Sequence, residues 1–353
     1  MKNIAIFVKN LTSGGAEKQS VLLAKALSGY YQIHYIIFNG NKIHKKYMDL
    51  LKEDPCIQIQ SFTGGHLSRY NEFVTYLQKN NICAIFSYLT AANFYACMAS
   101  KKVGVKVFTG LRNAELPLLK CWADRLLTNS FAEKAISNSF SGKENFITKG
   151  FKSEKIIVIP NCFEHIKDYT PKKRKDKVHI ITVGRFVPQK DYETAIHAIS
   201  ELKKTCDNIA FDIVGYGSLE AQIREWIKQY GIDDITTVYI NPNNIAELLD
   251  QANIYISTSL FEGTSNSIME AMNADLPIVA TNVGDNGQLV QNRENGFLSN
   301  KKDWKDIASK LAILINDEEL SLKMGKQSKL LLSTNYSVEK FRELYLSVLS
   351  SIE

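Results

Sequence analysis

The chain has 353 residues, 45% of them hydrophobic and 23% charged, and its formal net charge is +6. This is the composition of a soluble globular protein with enough chain for two cores of ordinary size. A membrane span is not expected, because the longest uncharged stretch, residues 82–100, is broken by Asn93 and several Ser and Thr.

The first predicted element is a strand at Ile4–Val8, an apolar run too short for a secretory signal. It reaches Ser13–Glu17 and a helix through Leu22, Leu23, Ala26 and Leu27 at helical spacing. Residues 43–52 read as a basic amphipathic helix. Further strands are predicted at Ile33–Phe38, Ala84–Ser87, Val105–Thr109 and Leu126–Thr128, with helical stretches between most of them. Near residue 160 the pattern stops: Ile156–Asn161 is an apolar strand ended by Pro160, and Lys172–Lys177 is a charged, solvated linker. A second alternation starts at Val178–Val183. It continues through Phe211–Val214, Val238–Ile240, Ile254–Ser257, Ile278–Ala280 and Gly296–Leu298. The last helices run from Trp304 to near Ile352, interrupted at residues 334–337. Strand–helix alternation of this kind argues for parallel sheets covered on both faces. The expected fold is α/β: two doubly wound Rossmann-like domains facing across a cleft, with ligand at the carboxyl ends of both sheets. The expected boundaries are 1–164 and 165–335, with 336–353 a helix that packs back on the first domain.

The charge is divided unevenly. Residues 1–160 carry 21 Lys and Arg against 10 Asp and Glu, whereas 161–353 carry 22 against 27. A basic N-terminal half suits an anionic lipid surface or a phosphorylated acceptor. Nucleic acid is not expected, since no helix concentrates Arg and no aromatic platform lies among the basic residues. The six cysteines form no C-x-x-C pair and no metal-ligand rhythm, which reads as reduced thiols in a cytoplasmic protein.

Four segments carry chemistry. Ser13–Glu17 brings glycines to a strand–helix turn, where backbone amides can approach an anion; a plain tight turn explains it equally well. Gly215-Tyr216-Gly217 suggests a nucleotide turn but lacks the third glycine of a dinucleotide fingerprint. Arg185 leaves the end of a strand and Lys190 follows five residues later, two cations suited to a diphosphate or, alternatively, two surface charges. The strongest segment is Phe261–Met272. Thr264, Ser265, Asn266 and Ser267 place small polar side chains and amides at a helix N-terminus, flanked by Glu262 and Glu270. Two carboxylates would repel a phosphate, so they read as acceptors for hydroxyls, one on a ribose and one on a sugar.

At these residues the chain resembles family four of the retaining glycosyltransferases, which have the GT-B fold. The resemblance runs through Gly14–Glu17, Ala123-Asp124 with Thr128–Ser130, Ile159–Asn161 and Val183–Arg185 with Lys190. It continues in Val214–Gly217, the Glu262/Glu270 pair and Asn295–Leu298. It implies a transferase that moves a sugar from a nucleotide-sugar to a saccharide or lipid-linked acceptor in surface polysaccharide biosynthesis. UDP, the commonest donor nucleotide in that family, is the implied one, with no cofactor and no metal. By the same resemblance, Arg185 and Lys190 bind the diphosphate, Glu270 accepts from the ribose and Glu262 contacts the transferred sugar. Gly15 approaches the donor, and the base lies near Gly215, Tyr216, Gly217, Tyr239 and Asn241. Proton transfer falls to the leaving diphosphate on the same face of the sugar.

Two departures stand out. Many relatives have a histidine where this chain reads Thr109–Asn113, which makes Arg112 and Asn113 the residues to take its place; and Gln288 stands where relatives often carry a glutamate. On the acceptor side, Arg69, Tyr70 and residues 87–93 occupy loop positions of the first domain. The basic segment 43–52 reads either as a solvated surface helix or as peripheral contact with an anionic membrane on the inner face of the plasma membrane. Two other functions remain open on the residues: a sugar-nucleotide epimerase of the same fold, and a non-catalytic nucleotide-sugar binder serving another transferase.

Overall fold

The structure, a computed structural model, describes residues 1–112, 117–172 and 176–351. Asn113, one of the two residues expected to replace the histidine, lies outside the described residues. So do residues 173–175 of the charged segment Lys172–Lys177.

The chain divides into two compact units, Met1–Glu164 with Val338–Glu353, and His165–Ser337. In the first unit the strands are β1 (Asn3–Val8), β2 (Gln32–Ile37), β3 (Ile57–Ser61), β4 (Ile82–Tyr88), β5 (Lys106–Leu111), β6 (Lys134–Ser137) and β7 (Ile156–Val158). Between them run α1 (Gly15–Leu27), α2 (Lys45–Lys52), α3 (His66–Lys79), α4 (Thr90–Val103), α5 (Leu118–Ser130) and α6 (Phe140–Thr148). The seven strands are parallel in the order β3-β2-β1-β4-β5-β6-β7.

A central strand in such a sheet must be apolar on both sides, and β1 shows why. Ile4, Ile6 and Val8 enter one core with α1, while Ala5 and Phe7 enter the other, where Phe7 stacks on Phe73 of α3 at 4.3 Å.

The second unit repeats the plan. Its strands are β8 (Val178–Arg185), β9 (Ile209–Tyr216), β10 (Thr236–Ile240), β11 (Ile254–Ser257), β12 (Ile278–Thr281) and β13 (Gly296–Ser299). Its helices are α7 (Tyr192–Lys203), α8 (Glu220–Gln229), α9 (Ile245–Gln251), α10 (Asn266–Asn273), α11 (Asn286–Leu289), α12 (Trp304–Asn316) and α13 (Glu318–Tyr336). The parallel order β10-β9-β8-β11-β12-β13 reverses direction between β8 and β11. Ligands of doubly wound sheets bind at the carboxyl ends of the strands at such a reversal.

The last helix, α14 (Val338–Ser350), belongs to the first unit. Phe341, Tyr345, Val348 and Leu349 are buried in the same core as α1, and Tyr345 meets Phe86 of β4 edge-on at 5.2 Å. Each such side chain contributes about 1.5–3 kcal/mol of burial. The helix begins at Val338 rather than the expected 336. Tyr336 still belongs to α13, where its hydroxyl donates to the Gln288 carbonyl, and extended Ser337 makes the break.

One strand expectation fails, and two strands, β3 and β6, were not expected. Leu126–Thr128 lies inside α5, not in a strand: Cys121, Asp124, Leu127 and Thr128 are buried at spacings of three and four, the signature of one helix face. The strand there is the four-residue β6, one turn further on. β3, unmarked in the sequence reading, is an edge strand only partly buried.

Candidate functional site

β8 delivers Arg185 at its carboxyl end, and a turn of 3-10 helix, Pro188–Lys190, leads to α7. This turn is stitched to the segment after β11, 72 residues on. The Gln189 amide donates to the Phe261 carbonyl at 2.8 Å, and Leu260 N donates to Gln189 O at 2.8 Å. The Thr258 hydroxyl donates to the carbonyls of Lys190 and Asp191. These bonds place the Lys190 ammonium 2.5 Å from Glu262 Oε1, which also accepts from the Ser259 hydroxyl at 2.7 Å. Both partners are mostly buried, with side chains 16% and 9% exposed, so water does little to screen them.

Glu262 is held from behind by Gly284. That residue has φ +53, and a Cβ there would lie 1.8 Å from the Glu262 carbonyl oxygen, so only glycine lets the loop after β12 close on this backbone. Beneath the site, the buried Tyr255 phenol donates to the Val183 carbonyl, and burial raises its pKa, with Ser267, Glu270 and Glu262 close enough to modulate it. α10 starts at Asn266 with no side-chain cap, which leaves its first-turn amides without an intrahelical partner, and Ser265, Asn266 and Ser267 line the site. Ser265 and Ser267 pair their hydroxyls at 3.2 Å, and Thr264 donates to Asp285.

These groups enclose a cavity of about 340 Å³ wholly inside the second unit. Arg185, Lys190, Gly215, Tyr216, Asn241, Glu262, Thr264, Ser265, Asn266, Ser267 and Glu270 all line it. Tyr216 is 56% exposed on its rim, a flat ring offered to a ligand. Gly217 and Tyr239 are not brought into the wall. Gly217 packs beneath Phe186, where a Cβ would lie 2.5 Å from its carbonyl oxygen, and the Tyr239 phenol lies near Asp212. Gly215 has a structural duty too, since a Cβ there would lie 1.9 Å from Gly184 O. Gln189, Pro242 and Ile245 are wall residues that the sequence reading missed, along with the supporting Ser259 and Gly284. Ser259 was findable as the hydroxyl three residues before Glu262; the others carry no local signal.

Arg112 and Gly15 belong to the first unit. The Arg112 guanidinium lies over the Tyr88 ring at 4.6 Å and donates to Asn161 and to the Tyr345 hydroxyl, each at 3.3 Å. Gly15 is the first residue of α1, and nothing lies within 4 Å of where its Cβ would be.

A second cavity, of about 560 Å³, lies within this unit, with Lys9, Glu17, Tyr88, Leu89, Thr90, Phe94 and Lys120 in its wall. Of the stretch 87–93, Ser87 and Asn93 sit below it in a buried network: Ser87 donates to Asn93, and Thr90 and Asn93 donate to Asp124. Burial raises the Asp124 pKa. Arg69 and Tyr70 lie within α3 rather than at loop positions, and Arg69 is buried, its guanidinium 5.0 Å from the Phe38 ring centre.

Residues 165–331, nearly all of the second unit, match the family described as Glycosyl transferases group 1. The second unit is a group 1 glycosyltransferase domain. Over the whole chain, the protein is similar to an uncharacterized glycosyltransferase of Haemophilus influenzae, 26% identical and covering 99% of this chain and 100% of the relative. It is also similar to a Campylobacter jejuni α-1,4-N-acetyl-D-galactosaminyltransferase whose name gives a diphospho-undecaprenol-linked glycan as acceptor. That relative is 23% identical, with 100% of this chain and 99% of the relative covered. Among solved structures, Anabaena HepE in complex with UDP superposes with a TM-score of 0.82 at 19% identity, over 99% of this chain and 100% of that one. The glycosyltransferase domain and the unit before it therefore have the GT-B fold of two Rossmann-like domains.

Proposed function

We propose that the protein is a retaining glycosyltransferase that moves a sugar from a UDP-sugar to a saccharide or lipid-linked acceptor in surface polysaccharide biosynthesis, in the cytoplasm. One observation carries this reading. Two cations, an uncapped helix N-terminus and two carboxylates converge on one cavity at the topological reversal of the glycosyltransferase domain. Arg185 and Lys190 bind the donor diphosphate, the amides of Thr264–Ser267 complete that site, and Glu270 accepts from the ribose. Glu262 accepts from the transferred sugar, and Tyr216 and Asn241 flank the base.

No metal or cofactor enters the proposal. Arg185, Lys190 and the positive end of α10 supply the charge that stabilises a leaving diphosphate. That diphosphate takes the acceptor proton on the face it leaves, so the sugar keeps its anomeric configuration. The UDP in the HepE complex and the acceptor in the Campylobacter relative's name support this choice of donor and acceptor. Arg112, which already donates to Asn161 and the Tyr345 hydroxyl and lies over the Tyr88 ring, is proposed to position the end of β5 rather than to transfer a proton.

Thermal-shift titration with UDP-, GDP- and ADP-sugars tests the donor, since a ligand raises the melting temperature only by binding the folded state. UDP-sugars are expected to stabilise and to be slowly hydrolysed. Binding without turnover favours the non-catalytic binder, and stabilisation by none of the three removes the assignment.

A further inference from the structure

Leu89 stands in a backbone conformation that almost no residue but glycine adopts. It joins β4 to α4 with φ 72 and ψ 155, outside the left-handed helical region and in one that a Cβ normally forbids. Among the described residues, the other non-glycine residues with positive φ are Asn, Asp, Arg or Lys, so a leucine there is the exception. The chain is locked on both sides of it. Tyr88 pairs with Val8 and Gly110 in the sheet, and the Thr90 hydroxyl donates to Asp124 at 2.6 Å. Asn93, fixed by Ser87, Gly110 and Asp124, donates its backbone amide to the Leu89 carbonyl at 3.0 Å. This network holds the strain, and a glycine would remove it. What leucine adds is its side chain.

That side chain leaves the residue 36% exposed, in the wall of the cavity of about 560 Å³ in the first unit. Lys9 and Asn10 follow β1, and Leu89 follows β4. The cavity therefore lies at the carboxyl ends of the two strands between which the order of the first sheet reverses. The same wall holds Phe94, 49% exposed and braced edge-on by Tyr95 at 5.5 Å. Two large apolar side chains thus share one cavity with Lys9, Asn10, Glu17 and Lys120.

The mixture selects the ligand. An acyl chain would strip the cations of water without pairing them, and a bare phosphate would meet the Glu17 carboxylate. A sugar ring offers a C–H face to Leu89 and Phe94. Its hydroxyls both donate and accept, which suits a wall that holds cations and a carboxylate together. We propose that Leu89 is a specificity-determining residue for the acceptor: its strained backbone sets the leucine side chain in the wall with Phe94, and the two take one face of an acceptor sugar ring. This rests on the transferase reading, because a transferase needs a second sugar site besides its donor cavity.

Leu89→Ala and Leu89→Gly both remove the side chain, but only the second relieves the backbone. Leu89→Gly is expected to melt about 2–4 °C above Leu89→Ala, the reverse of their order at an ordinary loop position. Saturation-transfer NMR on the full chain, with the methyl glycosides of glucose, galactose and their N-acetylamino counterparts as probes, reads sugar contact without a turnover assay. The parent and Leu89→Met are expected to bind at least one of these glycosides and to discriminate among them. Both truncated variants should bind it about five-fold more weakly and discriminate less. Since Leu89→Gly is the more stable of the two, its weaker binding does not come from unfolding.

Three results would overturn the proposal. An equal or inverted melting order would show that the backbone at Leu89 stores no strain. Unchanged glycoside binding in both truncated variants would show that the leucine does not touch the sugar. Saturation of none of the glycosides by the parent would show that the cavity takes no sugar ring. The thermal shift of the parent by UDP-sugar reports on the second-unit cavity alone, so it separates failure of the donor reading from failure of this one.

Discussion

Lys190 and Glu262 pair with each other in the cavity wall, and a diphosphate entering it offers Lys190 a second anion while a sugar hydroxyl gives Glu262 a donor. The two residues should therefore fail differently. Lys190→Ala and Glu270→Ala are expected to weaken UDP-sugar binding about ten- to hundred-fold, the loss of one charged hydrogen bond. Glu262→Gln keeps the shape and is expected to lower kcat by roughly 10²–10³ with KM little changed, as for an interaction made mainly in the transition state. Initial-rate kinetics on the three variants decide it, and unchanged values in all three would remove the site assignment. Gly284→Ala should act on the same carboxylate indirectly: its Cβ has no place beside the Glu262 carbonyl, so it should cost on the order of 1–3 kcal/mol in urea unfolding and lower kcat as well. The charged members of this site were legible in the sequence because cations and carboxylates gathered around a helix start serve a ligand of phosphates and hydroxyls better than they serve folding. Gly284 was not, because its reason is a backbone 22 residues away.

Elements were legible where their periodicity was strong and failed where it was short. β1, β8 and β11 announce themselves as apolar runs, whereas Leu126–Thr128 imitates a strand because α5 is apolar on two sides, and three residues cannot distinguish a period of 2 from 3.6. The packing of β2 on α3 carries a pH signature. His34 of β2 is buried, its Nδ1 paired with the Tyr76 hydroxyl and its Nε2 without a partner, and burial lowers its pKa below 6.5. The unfolded chain binds a proton at this residue near pH 6.5, where the folded chain does not. Stability is therefore full above that pH and declines as pH falls below it. Melting temperatures of the parent and His34→Phe at pH 7 and pH 5 should show a smaller acid-induced drop in the variant; an equal drop would show that His34 contributes nothing to it.

At the scale of the whole molecule, two sheets of the same plan were legible from the restart of the strand–helix alternation near residue 178. The return of the last helix to the first unit was expected as well, and the packing of Phe341, Tyr345, Val348 and Leu349 is what closes that unit. Burial of these four side chains amounts to roughly 6–12 kcal/mol, comparable with the entire stability of a domain. Truncation after Ser337 is accordingly expected to leave residues 1–164 open to protease, while the glycosyltransferase domain stays resistant and still melts higher with UDP. Resistance of both halves would show that α14 is dispensable. The same topology sets a timetable for synthesis. The ribosome must make all of residues 165–337 before α14 emerges, roughly ten to thirty seconds at ordinary elongation rates. During that interval the face of α1 and the Phe86 ring wait without their cover, so the half of the protein made first is finished last, and its nascent form is the one that needs a chaperone.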